Sequence, residues 1–219
     1  MRTRALAALI ALSLCLACGA FKRQAYEGFG RNGWQKPDEV IALLDVGPGD
    51  RVADIGAGGG YFTFRLADAV GDTGRVYAVD VDDDMLDYLR ERTAEEGRKN
   101  VEIVRGEFGD PLLPDAAIDL VFTCDTYHHL SDRVAYFSKL RTDLAPGARI
   151  AILDFNGTSG FAKWFGHATP KQTIVDEMTA AGFRLVADHD LIERQNFLVF
   201  EQAAEGRAQR GEAERSSEK

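Results

Sequence analysis

The chain has 219 residues, 45% of them hydrophobic and 28% charged, with a formal net charge of −9. That length suits one α/β domain with short appendages, and the apolar fraction is enough for a sizeable core. The acidic balance and the lack of a long basic stripe exclude a nucleic-acid backbone as the main partner, because such binding relies on clustered Lys and Arg.

Arg2 and Arg4 precede an apolar run from Ala5 to Cys18 that only Ser13 interrupts. This is the charged n-region and short h-region of an export signal, and it is too short for a comfortable membrane span. Cys15-Leu16-Ala17-Cys18 is a loose lipobox, with Cys15 where an aliphatic residue is usual. It would make Cys18 the lipidated first residue of a periplasmic lipoprotein. Lys22 and Arg23 follow, so the alternative is an uncleaved anchor with the domain on the cytoplasmic face. Residues 1–20 are thus expected to export the chain or tie it to a membrane. Cys124 is the one cysteine in the body of the chain, which leaves no disulfide framework there.

Residues 21–36 mix Gly28, Gly30 and Gly33 with Phe21, Tyr26, Phe29 and Trp34. They read as an irregular arm whose Tyr26, Phe29, Trp34 and Gln35 lid a substrate pocket, or whose aromatics seal the core beneath the first helix. Pro37 opens a helix with apolar residues at helical spacing, Val40, Ile41, Leu43 and Leu44. Strands and helices then alternate: strand 51–55, helix 61–70, strand 75–79, helix 83–97, strand 101–104 and strand 119–124. A helix capped by Ser131 is expected to reach Leu144, and Pro146-Gly147 to turn into a strand over 149–155. A helix over 170–181 precedes strands 183–189 and 196–200, close enough to form an antiparallel hairpin. Residues 202–219 are charged and small and read as a disordered tail. The alternation calls for a single domain over 37–201, a doubly wound, mostly parallel sheet with helices on both faces.

The chemistry-bearing stretch is Asp54-Ile55-Gly56-Ala57-Gly58-Gly59-Gly60. It follows a hydrophobic strand and opens a helix, which puts it at the carboxyl edge of the sheet, where open α/β folds bind ligands. The dinucleotide fingerprint G-x-G-x-x-G would require glycine at Tyr61. The spacing present is D-x-G-x-G-x-G, and an acid, Asp80, ends the next strand ahead of Val81. Over roughly residues 38–201 the chain resembles the class I S-adenosylmethionine-dependent methyltransferases, in particular the small-molecule enzymes of the ubiquinone and menaquinone biosynthesis type.

The resemblance implies a seven-stranded sheet of order 3-2-1-4-5-7-6 with strand 7 antiparallel. It implies a cofactor site from Asp54, Gly56, Ala57, Gly58 and Gly60. In it Asp80 accepts from both ribose hydroxyls, and Glu107, with Asp110 as the alternative, takes the adenine beside Phe108. The backbone of Cys124 and Asp125 lines the same pocket. In Thr123-Cys124-Asp125-Thr126-Tyr127-His128-His129-Leu130, Tyr127 and His128 are candidates for positioning or deprotonating the acceptor, or else one histidine caps a helix and the other packs. Trp164, Phe165 and His167 are candidates for another wall. The ligand is a zwitterion with an added sulfonium charge, so a carboxylate-rich site opposed only by Arg105 suits it and repels a diphosphate. The expected activity is methyl transfer to a small acceptor, apolar and membrane-associated compounds included. A non-catalytic binding module and an NAD oxidoreductase are the alternatives.

Overall fold

The computed structural model describes residues 30–158 and 168–203. The leader, most of the arm, Trp164, Phe165, His167 and nearly all of the tail lie outside the described residues.

The elements in chain order are α1 (Arg31–Gln35), α2 (Pro37–Leu44), β1 (Arg51–Ile55), α3 (Thr63–Val70), β2 (Arg75–Asp80), α4 (Asp83–Glu95) and β3 (Val101–Arg105). There follow β4 (Ile118–Cys124), α5 (Arg133–Leu140), β5 (Leu144–Phe155), α6 (Lys171–Ala180), β6 (Phe183–His189) and β7 (Gln195–Gln202). One seven-stranded sheet has the order β3-β2-β1-β4-β5-β7-β6. Strands β1 to β5 run parallel, and β7 pairs antiparallel with both β5 and β6. The expected sheet order and the antiparallel seventh strand are both present.

Successive residues of the central strands feed opposite faces, as strand geometry requires. Val121, Ile150 and Ile152 pack with Phe137 of α5 and Ile174 and Met178 of α6. Leu120, Phe122, Ala151 and Leu153 pack with Val40 of α2 and Leu66 and Val70 of α3. Because helices cover both faces, the strands read as continuous apolar runs and not as alternation.

Five local expectations are corrected. The arm is not irregular throughout, since residues 31–35 form a helical turn after Gly30, which is left-handed (φ 67°). The cap of α5 is Asp132, whose carboxylate accepts from the Ala135 amide at 3.4 Å, and not Ser131. That helix ends at Leu140, and Leu144 already pairs with Ile118 on β4. Pro146-Gly147 does not precede β5 but bulges within it, where the register jumps from Ile118↔Leu144 to Leu120↔Arg149 and Gly147 has φ 84°. Gln202, placed in the tail by its polarity, closes β7 opposite Phe183.

Phe122 is fully buried in the central strand β4 and packs edge-on against Phe62, with ring centroids 4.9 Å apart. Phe122→Ala is expected to cost roughly 3–5 kcal/mol of unfolding free energy, read by chemical denaturation.

Candidate functional site

The carboxyl ends of β1, β2 and β4 meet at the glycine loop. The amides of Gly56 and Ala57 both donate to the Val79 carbonyl, at 2.9 and 3.0 Å. Gly56 has φ 76°, and a Cβ there would lie 2.1 Å from the Thr126 hydroxyl oxygen. Only glycine permits both the torsion and the approach of the β4 loop. Gly60 (φ 86°) has no room either, since a Cβ would meet the Phe64 ring at 2.5 Å. The turn runs on through Phe62, so α3 starts two residues later than its apolar pattern suggests.

Asp80 clasps this loop. Its Oδ2 accepts from the Gly58 amide at 2.8 Å, and its Oδ1 accepts from the amides of Val81 and Asp82 at 2.8 and 3.0 Å. A carboxylate offers about four acceptor positions. Three are taken here, so a full pair of ribose hydroxyls needs one backbone donor to yield.

Two cavities open on either side of the loop and share Gly56, Asp125 and Thr126. The first, about 190 Å³, is lined by Arg31, Asp54, Ala57, Gly58, Tyr61 and Cys124 among others. The second, about 420 Å³, is lined by Asp80, Val81, Glu107, Phe108, His129 and Leu130 among others. The sequence-derived positions Asp54, Gly56, Ala57, Gly58, Asp80, Val81, Glu107, Phe108, Cys124 and Asp125 thus all face one cavity or both. Gly60 faces neither and acts through the loop's shape. Glu107, not Asp110, lines the second cavity. The two exchange backbone hydrogen bonds at 2.7 and 3.2 Å, and the Asp110 carboxylate turns back to the Leu112 amide at 2.9 Å.

The first cavity is acidic. Asp54 is buried and accepts from the Thr63 hydroxyl at 2.6 Å, and burial pushes its carboxyl up to about 6. Burial also raises Asp125, which sits in left-handed backbone (φ 53°) and accepts from Gln195 Nε2 at 2.5 Å. Burial raises the Cys124 thiol well above its usual range, so it stays protonated and is no nucleophile. The cation opposing these acids is Arg31, not Arg105. Arg105 pairs with Asp83 at 2.8 Å on the surface, whereas Arg31 Nη2 lies 3.6 Å from Asp125 Oδ2.

Arg31 is a functional residue that sequence reasoning missed, whereas Gln35 is among the arm residues that the sequence offers as a pocket cover. Gln35 is fully buried and donates to Cys124 Sγ at 3.1 Å and to Gln195 Oε1 at 3.1 Å. Trp34 does not cover a pocket, because its ring stacks on Phe155 at 6.1 Å and packs on the core.

The two acceptor candidates separate. Tyr127 is fully buried, and its hydroxyl donates to Glu177 at 2.7 Å, away from both cavities. Glu177 is held in turn by two 2.7 Å contacts from Arg133. His128 Nδ1 lies 2.8 Å from Asp154 Oδ1, a carboxylate with no exposed surface whose Oδ2 has no hydrogen-bond partner among the described residues. His129 packs against His128 with the rings tilted at 46° and their centroids 4.1 Å apart, and it lines the second cavity.

The donor set fits S-adenosylmethionine. Glycine backbone and apolar Val81, Phe108 and Leu130 border the Asp80 side, as a nucleoside requires, and acids with one guanidinium border the other, as an amino acid with added positive charge requires. A diphosphate lying on this loop would face Asp54 and Asp125.

This is the architecture of a class I methyltransferase domain, and comparison with known proteins agrees. Residues 47–207 match the methyltransferase domain family, and the chain belongs to it. It is 32% identical over 120 residues to an arsenite methyltransferase of Halobacterium salinarum, covering 55% of this chain and 31% of that one. It is 32% identical over 124 residues to a ubiquinone/menaquinone biosynthesis C-methyltransferase of Teredinibacter turnerae, covering 56% and 49%. The matches therefore span half or less of these relatives. A SAM-dependent methyltransferase from Aquifex aeolicus superposes with TM-score 0.75 at 25% identity, over 82% of this chain and 96% of that one.

Asp54 titrates higher folded than its ordinary value of 3.8, so the folded state binds the extra proton between about pH 4 and 6 and loses stability as pH rises through that window. Asp54→Asn is expected to match the ligand-free wild type near pH 4 and exceed it at pH 7 by about 1–3 kcal/mol, read by denaturation at both pH values. Gly56→Ala, which drives a methyl into Thr126, is expected to weaken S-adenosylhomocysteine binding by about tenfold or more, read by calorimetry.

Proposed function

We propose that this chain transfers a methyl group from S-adenosylmethionine to a small acceptor, apolar and membrane-associated compounds included. The observation that carries the reading is the pair of adjoining cavities joined at Gly56, Asp125 and Thr126, one bordered by Asp80 and apolar side chains, the other by Asp54, Asp125 and Arg31. A two-part ligand, a nucleoside joined to a cationic amino acid, matches that division. The relatives named for quinone and arsenite methylation support a small acceptor without identifying it.

When bound, S-adenosylmethionine supplies a methyl group already activated by its sulfonium. The chain's own residues are then left to bind, align and exclude water. Asp80 and the loop backbone hold the nucleoside, and Asp54 and Asp125 favour the positive end. His128, with Nδ1 2.8 Å from Asp154 Oδ1, is the candidate to receive an acceptor proton; it lines neither cavity itself and is joined to the second through its ring contact with His129. An acceptor that is already nucleophilic needs no such base.

Residues 1–20 would carry the domain out of the cytosol or fasten it to a membrane, on either face. Intact mass of the protein from a bacterial host tests this. A lipidated chain beginning at Cys18 supports export, and a soluble chain beginning at Met1 contradicts both forms.

Asp80→Ala removes the loop clasp and a charged partner of the ribose, and is expected to weaken S-adenosylmethionine binding by about tenfold or more. An unchanged dissociation constant in calorimetry, or preferential binding of NAD by the wild type, contradicts the reading. On any phenol, quinol or amine that is turned over, His128→Asn is expected to lower kcat by roughly 10²-fold or more while leaving S-adenosylhomocysteine affinity unchanged.

A further inference from the structure

We propose that Thr123, Asp154 and Asn196 enclose one buried water at the carboxyl end of β4 and β5, and that Thr123 positions the Asp154 carboxylate through it. The positioning role rests on the reading that His128, which Asp154 contacts, is the acceptor-side base. The water site itself does not.

Two buried oxygens on neighbouring strands, Thr123 Oγ1 on β4 and Asp154 Oδ2 on β5, have no hydrogen-bond partner among the described residues. Thr123 is 1% exposed and Asp154 0%. An unpaired buried polar atom costs the full desolvation of its group, and more for a charged one, so two of them on one face point to a ligand. They do share a face. Thr123 pairs with Ile152, and Asp154 lies two residues further along β5, so the side chains are diagonal neighbours. Such neighbours stand about 7–8 Å apart, wider than one hydrogen bond and within reach of two in series.

The third side comes from β7. Asn196 is directly opposite Asp154 in the antiparallel ladder and shares its face. It is buried, and its Nδ2 donates to the Thr169 carbonyl at 3.0 Å, which leaves Oδ1 as an acceptor. Beneath the three lie Ile152 and Leu198, which are apolar. The group that fits must donate to a carboxylate oxygen and an amide oxygen and accept from a hydroxyl. Water does this with both hydrogens and one lone pair, the roughly three bonds usual for a buried water.

The consequence reaches His128. Asp154 Oδ1 lies 2.8 Å from its Nδ1. A carboxylate tied at one oxygen can swing about its Cβ–Cγ bond, and one tied at both cannot. The water therefore fixes the plane of Asp154 and with it the direction in which the imidazole is held. Thr123 lines neither cavity and acts through Asp154, as a positioning residue.

A crystal structure of the full chain showing ordered waters tests the site, whether or not any variant folds. The expected result is one oxygen within about 2.6–3.2 Å of Thr123 Oγ1, Asp154 Oδ2 and Asn196 Oδ1. Direct contact among these side chains, or a metal ion between them, overturns it. Thr123→Val keeps the shape and loses the hydroxyl. Removing a hydroxyl without a partner would raise the thermal midpoint. Here the midpoint is expected to fall by about 2–8 °C, because the water loses a partner and Asp154 is held less firmly. An unchanged or raised midpoint overturns the bridge. In NMR, the imidazole N–H resonance of His128 is expected to move in Thr123→Val and to stay in place in Thr123→Ser, which keeps the hydroxyl. Movement in both variants, or in neither, overturns the positioning role. If His128→Asn leaves kcat unchanged, the base reading falls and the positioning role with it, while the water site stands or falls on the crystal structure.

Discussion

The site depends on one hydrogen bond between a strand-end carboxylate and a bare amide, from Gly58 to Asp80 at 2.8 Å. Asp80 ends β2, and Gly58 lies in the loop that leaves the adjacent parallel strand β1. Parallel pairing brings both ends to the same edge, and the carboxylate then fixes how the loop crosses it. With the loop fixed, the gap at Gly56 admits Thr126 from the end of β4, and three strand ends enclose one continuous ligand site. A side chain at Gly56 would hold those ends apart. The seven-stranded sheet provides the edge, and the clasp turns it into a binding surface.

The charge arrangement has a cost that a ligand relieves. Asp54 and Asp125 are both buried enough to raise their carboxyls, and Asp125 also sits in left-handed backbone. Charges and torsions of this kind persist at binding sites because the surrounding structure over-determines them. A cationic ligand supplies the missing counter-charge, so occupancy stabilises the fold by mass action. The same logic explains the protonated Cys124. Its position faces the ligand, but its surroundings favour the neutral thiol and give it no part as a nucleophile.

Much of the cofactor side was legible in the sequence because its signals are local. The D-x-G-x-G-x-G spacing, the strand before it and the acid at Asp80 each lie within a few residues and follow from backbone geometry. The acceptor side was not legible in this way. Tyr127, His128 and His129 are neighbours in one short 3-10 turn, yet Tyr127 enters the core, His128 pairs with Asp154 and His129 reaches a cavity. No periodicity distinguishes positions one apart in such a turn. Arg31 and Gln35 stood in a glycine-rich, aromatic stretch with no helical repeat, and contacts with residues distant in sequence, at Tyr61, Cys124, Asp125, Phe155 and Gln195, give α1 its place. The misread cap at Ser131 and the bulge at Pro146-Gly147 have the same origin. Both are settled by pairing with distant residues, which outweighs local propensity.

The most direct measurement of the central claim is a crystal structure of the full chain with S-adenosylhomocysteine. The account expects the ribose within hydrogen-bonding distance of Asp80, the adenine between Val81 and Phe108, and the amino-acid end against Arg31 and Asp54. A glycine loop that excludes the compound, or binds a diphosphate in its place, would contradict it.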